Sequence, residues 1–286
     1  MNTKPMPDLA DPPDMSEATR PQPDAPSGTQ SLTRSIRLLR LVATRGEIGW
    51  RLSDIAAACG LDKGTAHRIL ASLVKERLVQ QRPGDRRYLA GPLLYELGLS
   101  LPGHHDFQRA AEWHLGVLSK RMNGTALLLL RSGTEYVCSV CTGPSRLPGL
   151  MVEQGTRRPL FTSVGGVAIL MSMDPLEAAE VLRANIEREL ATRGDARLAA
   201  LGRMRDRSAG HGYGVNLGDV VPGIHAFAVP LQSPDGNAFA ALCIMSTVEH
   251  FPEARMQEIR AELDHMKRAL DADAARMLFR TPGSDP

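Results

Sequence analysis

Residues 52–70 read LSDIAAACGLDKGTAHRIL, and this stretch decides the fold of the first part of the chain. Its small and apolar residues recur at the spacing at which two short helices bury them against each other, and Gly60 stands where the chain turns tightly between them. Asp62 follows, where a short carboxylate can accept a hydrogen bond from an unpaired N–H group of the second helix. The stretch therefore predicts a helix-turn-helix. The residues expected to be buried in it are Ile55, Ala56, Cys59, Leu61, Ala66 and Ile69.

The exposed face of the second predicted helix carries side chains suited to DNA. When such a helix enters the major groove, the residues near its N-terminus meet base edges. Arg68 can form a bidentate contact with guanine, and Thr65 can meet a thymine methyl group or a phosphate. The candidate DNA contacts on this helix are Lys63, Thr65, His67, Arg68, Ser72 and Lys75.

A predicted hairpin follows the second helix. Residues 78–81 and 87–89 are two short strand-like runs, and the Pro-Gly-Asp sequence between them is typical of a turn. Arg82, Arg86 and Arg87 flank this turn and form a basic tip that can reach phosphates or the minor groove. The hairpin therefore predicts the wing of a winged helix-turn-helix.

The charge of the chain supports this interpretation once it is divided along the sequence. Over all 286 residues, 34 basic and 32 acidic side chains leave a formal net charge of only +2. Residues 30–91, however, carry twelve basic and five acidic residues, a net charge of +7. A charge run alone usually marks a solvated surface, but this one coincides with the helix-turn-helix and the wing, which favours DNA binding.

The rest of the chain divides by composition and periodicity. Residues 1–29 hold seven of the 20 prolines and no aromatic residue, so we expect a disordered leader. Helical runs predict a connecting segment over residues 92–122, and residues 123–280 alternate between strand-like and helical patterns, with a flexible tail at 281–286. Such alternation predicts a sheet with helices packed on it. The strands are expected at 126–131, 136–141, 149–153, 224–231 and 238–246.

Two sets of motifs in one order extend this interpretation. The N-terminal set is SLTRSI at 31–36, TAHRILASL at 65–73 and YLAGPLLYELG at 88–98; the C-terminal set is PLFTSVGGVAIL at 159–170, GYG at 212–214 and GIHAFAVPL at 223–231. With these motifs the chain resembles the IclR (isocitrate-lyase regulator) family of bacterial transcription regulators over residues 30–280. The resemblance implies an α+β chain with an N-terminal winged helix-turn-helix at 30–91, a linker helix and a C-terminal GAF-like effector-binding domain, whose antiparallel or mixed sheet is flanked by helices. It also implies dimers or tetramers on palindromic operators.

The resemblance further implies that a small metabolite, often a carboxylic acid, binds in the second domain. Thr162, Ser163 and Gly165 stand at the start of a predicted helix, where hydroxyl and N–H groups can hold a carboxylate. The alternative is that the hydroxyls only cap this helix and the glycines only permit close packing. Arg157 and Arg158 nearby could attract an anion. Residues expected on or beside the strands that wall the pocket are Leu150, Met151, His225, Phe227 and Ser246, although alternation turns only half of such residues inward.

Other chemistry finds little support in the sequence. Cys138 and Cys141 have the spacing of zinc and redox sites, but no second pair or His-x₃-His follows them, so we expect all four cysteines to be reduced, buried thiols. No nucleophile elbow, zinc-protease motif or nucleotide loop in its proper context occurs, so we expect no catalytic residues, no metal and no cofactor. No apolar run approaches the ~18 residues of a membrane span, and the acidic N-terminus differs from a secretory signal, so we expect a cytoplasmic protein.

The sequence thus predicts a ligand-responsive transcription regulator with operator DNA, a small-molecule effector and further copies of itself as partners. One alternative is a DNA-binding protein whose second domain only forms oligomers. Another is an enzyme with an appended winged helix, which would need acid, base and nucleophile groups together in one cleft. The identity of the effector, the operator sequence and the direction of regulation do not follow from the residues.

Overall fold

The computed structural model describes residues 27–143 and 152–279. The first helix, α1, begins at Ser27, inside the segment predicted as a leader. Residues 1–26 and the predicted tail at 281–286 lie outside the described residues. The predicted boundaries of leader and tail therefore stay predictions.

Three helices and a hairpin form the N-terminal domain. Its elements are α1 Ser27–Val42, α2 Leu52–Cys59, α3 Lys63–Lys75, β1 Val79–Gln81 and β2 Tyr88–Ala90. Gly60 adopts the left-handed conformation that the tight turn requires, at φ 64°, and the N–H group of Leu61 donates to the carbonyl of Ala56 across the turn at 2.9 Å. Leu38, Ile55 and Leu70 are completely buried where the three helices meet. The predicted helix-turn-helix is confirmed.

The wing is an antiparallel hairpin joined to the helices by one further bridge. β1 pairs with β2, with Val79 opposite Ala90 and Gln81 opposite Tyr88. Trp50, just before α2, exchanges two backbone hydrogen bonds with Tyr88, of 2.8 and 2.9 Å. Both aromatic rings are buried, so the hairpin is fixed to the helical core at its base.

Two helices connect the domains. They are α4 Pro92–Leu99 and α5 His104–Met122, separated by a turn in which Gly103 has a φ of 69°. α4 contributes no buried residue, whereas α5 buries Phe107, Ala111 and Leu115 against the second domain. α5 is thus part of the core of the second domain.

A six-stranded sheet forms the centre of the second domain. Its strands are β3 Thr125–Ser132, β4 Glu135–Thr142, β5 Arg157–Pro159, β6 Gly214–Leu217, β7 Ile224–Gln232 and β8 Ala238–Thr247. They lie in the order β5-β4-β3-β8-β7-β6, and every neighbouring pair is antiparallel. Among the described residues, β5 and β6 were not expected as strands, and Val152 and Glu153 lie outside any strand although the sequence predicted one at 149–153.

Helices cover both faces of this sheet. One face packs against α5 and α9 Met256–Met277 through residues such as Phe227, Ile244 and Leu263. The other packs against α6 Val164–Leu170, α7 Pro175–Arg193 and α8 Asp195–His211 through residues such as Leu129 and Cys243. The expected α+β fold, a helix-turn-helix followed by a sheet flanked by helices, is confirmed.

Candidate nucleic-acid interface and effector cavity

The predicted base-reading residues lie together on α3. Asp62 caps the helix by accepting a hydrogen bond from the N–H group of Thr65 at 2.8 Å, as the sequence predicted. Lys63, His67 and Arg68 are exposed on the first turns, and an Arg68 Nη2 atom donates to the Thr65 hydroxyl at 3.2 Å. This bond aligns the guanidinium along the outer face of the helix, where a bidentate contact to a base is geometrically open.

The remaining predicted contacts on α3 lie one to two turns further along. The Ser72 hydroxyl donates to the Arg68 carbonyl of its own helix at 3.2 Å. Lys75 is the last residue of the helix and is exposed. Both residues lie away from the N-terminal turn of α3, at positions suited to contact the phosphate backbone of DNA.

Two of the three wing arginines already have partners within the protein. Arg82 forms a bidentate pair with Asp85 at 2.9 and 2.7 Å and donates to the Glu47 carbonyl at 2.8 Å. Arg87 pairs with the same carboxylate at 3.3 Å and donates to the Ile48 carbonyl at 3.1 Å. These bonds fix the wing to the loop before α2. The pKa of the Asp85 carboxyl is held at about 2, chiefly by its hydrogen bonds with Arg82, so this carboxylate stays charged at neutral pH.

Arg86 has a different environment. Its side chain is exposed at the wing turn, and among the described residues it forms no hydrogen bond or ion pair. Its backbone has a φ of 55°, a conformation that turns the chain between the two strands. Of the three predicted wing contacts, Arg86 is therefore the one whose guanidinium is available to a phosphate.

Sequence reasoning did not single out Arg51. It is exposed directly before α2, and its carbonyl accepts the first hydrogen bonds of that helix, from Asp54 and Ile55, both at 3.1 Å. Phosphates bind readily where a cation stands at a helix N-terminus. The sequence feature that could have identified Arg51 is its position as a basic residue immediately before the first helix of the motif.

A cavity of about 260 Å³ lies between the sheet and the helices α6, α7 and α8. Its sheet side is apolar, with Leu127, Leu129 and Met245 among the contributors. A cavity of about 150 Å³ already accommodates benzene. This cavity therefore has room for one substituted ring or a short-chain acid.

Three arginines line the same cavity. Arg158 extends from β5, Arg193 is the last residue of α7 and Arg197 lies in the first turn of α8. Arg197 is positioned by the almost fully buried Glu189, with Nε and Oε2 at 3.4 Å. No carboxylate is among the described residues that line the cavity. Its polar side is thus electropositive.

The hydroxyl groups at the cavity wall also have protein partners. Ser163 accepts a hydrogen bond from the Gly166 N–H group at 3.0 Å, which makes it the N-cap of α6, and Thr162 donates to the Pro159 carbonyl at 2.7 Å. Burial raises the pKa of Tyr136, and a hydrogen bond with Ser163 and the charge of Arg158 oppose this only in part. The Tyr136 phenol therefore keeps its proton at neutral pH.

Glycines in α6 serve packing. A Cβ atom on Gly165 would collide with the Cys243 sulfur and lie 2.8 Å from Leu129 Cδ1, and one on Gly166 would collide with the Leu160 carbonyl. Together with the Ser163 cap, these contacts fit the alternative stated above, in which the hydroxyls cap the helix and the glycines permit close packing. Thr162, Ser163 and Gly165 nonetheless all line the cavity.

Three predicted effector contacts lie on the opposite face of the sheet. His225, Phe227 and Ser246 alternate with cavity residues, so their side chains face α5 and α9. His225 Nδ1 lies 2.7 Å from the Phe251 carbonyl, and Ser246 donates to the Asn123 carbonyl at 3.3 Å. The sequence prediction placed these three residues on the wrong face of the sheet. Side chains alternate between the two faces along a strand, and the neighbours Ala226 and Met245 line the cavity instead. The other two predicted contacts, Leu150 and Met151, lie outside the described residues.

The remaining sequence expectations concern metal sites, membrane spans and thiols. Within residues 27–143 and 152–279, no group of three or more metal-binding side chains comes together, and no helix is long and apolar enough to cross a bilayer. Cys59, Cys138 and Cys243 are buried free thiols, as predicted, but Cys141 is exposed. Cys141 lies near the end of β4, the strand next to the edge strand β5, and the apolar run around it in the sequence did not indicate that it would be exposed.

Comparisons with known proteins match both domains. The model of the IclR helix-turn-helix domain matches residues 31–83, and the model of the bacterial transcriptional regulator IclR C-terminal domain matches residues 102–272. A glycerol operon regulatory protein of Streptomyces griseus is 32% identical over 222 residues, which cover 77% of this chain and 85% of that protein.

Solved structures show the same fold. An IclR family transcriptional regulator from Brucella abortus superposes with a TM-score of 0.68 at 20% identity, covering 85% of this chain and 92% of that one. An IclR homologue from Microbacterium hydrocarbonoxydans, solved in complex with 4-hydroxybenzoate, superposes with a TM-score of 0.62 at 20% identity, covering 86% of this chain and 99% of that one.

Proposed function

The chain belongs to the IclR family of bacterial transcription regulators, and from this we propose that a small organic acid bound in the cavity of its second domain controls its binding to operator DNA. In this proposal residues 30–91 bind the operator, residues 92–122 join the domains and residues 123–280 bind the effector. Acting on DNA in this way, the protein works in the cytoplasm.

The DNA-contacting part of the proposal rests on α3 and the wing. Lys63, Thr65, His67 and Arg68 read base edges in the major groove, while Ser72 and Lys75 hold the backbone. Arg86 reaches a phosphate beside the groove, and Arg82 and Arg87 keep the wing in the position from which it does so. The exposed, unpaired guanidinium of Arg86 and the outward alignment of Arg68 support these assignments.

A second copy of the chain is part of the proposed operator complex, because helix-turn-helix proteins read palindromic sites as dimers. α4 supports this assignment, since it buries none of its own residues and leaves Tyr95 72% and Leu97 52% exposed. Leu32 and Ile36 on α1 are also exposed. Apolar helix faces of this kind are typical of surfaces that another chain covers. A tetramer would pair two such dimers.

The effector part rests on one observation: three arginines and no carboxylate among the described residues line a cavity whose opposite wall is apolar. Such a lining favours a ligand with an apolar body and an anionic group, because the positive charges attract the anion and the apolar wall accommodates the rest of the ligand. Carboxylic and aromatic acids have this form. The 4-hydroxybenzoate in the homologue of the same fold makes it a reasonable first probe.

The effector would act through linkage. If an acid lowers the affinity of the protein for its operator by a given factor, operator DNA lowers the affinity for the acid by the same factor. The direction of the effect follows from whether the acid favours the arrangement of the two helix-turn-helix domains that matches the operator spacing.

The test begins with thermal melting of the full-length protein against a panel of carboxylic and aromatic acids that includes 4-hydroxybenzoate. We expect one or more acids to raise the melting temperature by the mass-action amount for their concentration, and Arg197→Gln to reduce this shift. Arg183→Gln is the matched control, because that arginine is exposed on α7 and pairs only with Glu187 among the described residues. If no acid shifts the melting temperature and calorimetry detects no heat, the second domain is an oligomerisation platform.

A further inference from the structure

Cys138 and Cys141 lie on the same face of β4, which their spacing alone does not allow. In a regular strand, residues three apart point to opposite faces. Here the register with β3 shifts, so that Cys138 is opposite Leu129, Val140 is opposite Leu128 and Cys141 is opposite Leu127. Ser139 is the extra residue of a β-bulge. The bulge therefore brings both thiols to the face that carries the cavity.

The spacing of the two cysteines suits a covalent bond between them. Their partners on β3 are two residues apart, which corresponds to about 6.7 Å along a strand. Disulfides span Cα separations up to about 6.8 Å. In the reduced protein the Cys138 thiol donates to the Val140 carbonyl at 3.3 Å, and the two sulfurs are close enough that each shifts the pKa of the other.

The two thiols have complementary environments. Cys141 is exposed and its thiol donates to the Val152 carbonyl at 3.6 Å, whereas Cys138 is completely buried. The neighbouring Cys138 thiol lowers the pKa of the Cys141 thiol to about 7, against the opposing effects of partial burial and of the Glu153 charge. Cys141 is therefore partly thiolate at neutral pH and open to solvent, which is the form that reacts with peroxides. Cys138 stays a thiol beside it.

The bulge residue also connects this pair to the linker. The Ser139 hydroxyl hydrogen-bonds Gln108 Oε1, and Gln108 Nε2 donates to the Ser139 carbonyl at 2.9 Å. Gln108 lies in the first turns of α5, the helix that leads back through α4 to the DNA-binding domain. A change in the backbone at Ser139 must alter or break these two bonds.

We propose that Cys138 and Cys141 are a peroxide-oxidisable dithiol whose disulfide distorts the bulge and loosens the attachment of α5 at Gln108. In the first step the Cys141 thiolate attacks the terminal oxygen of a hydroperoxide. A sulfur–oxygen bond forms, the peroxide bond breaks, and the alkoxide leaves and takes a proton from solvent. In the second step the Cys138 sulfur attacks the resulting Cys141 sulfenic acid. The disulfide forms, the sulfur–oxygen bond breaks, and the hydroxide leaves as water with the Cys138 proton.

The chemistry is tested on the reduced full-length protein with hydrogen peroxide, followed by thiol alkylation and peptide mass spectrometry. Trypsin releases residues 132–146, which contain both cysteines. We expect this peptide to lose two hydrogen atoms in the wild type and in Cys243→Ala, a control that removes another buried thiol. Cys141→Ser should abolish the loss, and in Cys138→Ala the sulfenic acid at Cys141 should persist and be trapped by dimedone. A wild-type peptide that keeps both alkylated thiols would overturn the proposal.

The effect on α5 is tested by hydrogen exchange, which does not depend on the proposed function of the protein. We expect peptides from the first half of α5 to exchange at least several-fold faster in the oxidised than in the reduced wild type. Peroxide-treated Cys141→Ser should match the reduced protein. Equal exchange in the oxidised and reduced wild type, with the disulfide confirmed by mass, would refute the connection through Gln108.

Discussion

Arg68 is the residue on which sequence recognition depends most in the proposed complex. Its guanidinium is exposed on the first turns of α3 and is aligned by the Thr65 hydroxyl. We expect Arg68→Ala to weaken binding to the cognate operator by about 1–3 kcal/mol and to relax the preference at one base pair. Fluorescence anisotropy with an operator series varied one base pair at a time measures both effects. An unchanged base preference would rule out the base-reading role.

Arg86 and Arg82 should behave differently although they share one turn. Arg86→Ala removes a side chain without a partner among the described residues, so binding to operator and to random DNA should weaken alike, and the slope of log affinity against log salt should fall by about 1. The melting temperature of the Arg86→Ala variant should equal that of the wild type. Arg82→Ala breaks the Asp85 pair and the bonds to the loop before α2, so it should also lower the melting temperature. A sequence-selective loss in Arg86→Ala would contradict a phosphate contact.

Some of these residues could be predicted from the sequence and others could not, for a physical reason. The candidate contacts on α3 and the Asp62 cap follow from local spacing along one helix. His225, Phe227 and Ser246 were assigned to the wrong face, because strand alternation is certain but its phase depends on how β7 is paired. Arg193 and Arg197 reach the cavity only because α7 and α8 fold back over the sheet, and no local pattern marks that contact.

Helix α6 packs so closely against the sheet that Gly165 leaves no room for a side chain. Gly165→Ala would place a methyl group against Cys243 and Leu129, so we expect a loss of about 1–3 kcal/mol in the free energy of unfolding. Gly202→Ala is the matched control, because a Cβ there meets nothing within 4 Å in the middle of α8. It should be neutral or stabilising by up to about 1 kcal/mol. Urea denaturation of the two variants measures this difference, and equal stabilities would show that α6 is free to move away.

The long elements were predictable and the short edge strands were not. The core strands β3, β7 and β8 are long, almost continuous apolar runs, and α9 has a long amphipathic pattern, so the sequence marks each of them. β5 has three residues and β6 four, so neither shows a period, and each is a strand only because it completes an edge of the sheet. The bulge at Ser139 is equally invisible in the sequence, since it arises from the register between two strands.

The net positive charge of the whole molecule is concentrated in the N-terminal domain. The net +7 of residues 30–91 coincides with α3 and the wing, whereas the rest of the chain, which holds the cavity, is close to neutral or acidic. The arginines at the cavity are therefore a local feature within that region. This arrangement suits a protein that binds DNA through one surface and a small anion through another, with α4 and α5 between them.

The central claim is that an acid in the cavity changes operator affinity. The measurement that tests it most directly is the Kd for an operator selected from random DNA, determined with and without a saturating acid found by the melting screen, in the wild type and in Arg197→Gln. Coupling between sites is typically about 5–150-fold. We expect a change of at least about fivefold in the wild type and a smaller change at the same acid concentration in the variant. An operator Kd that is the same with and without the bound acid would contradict the account.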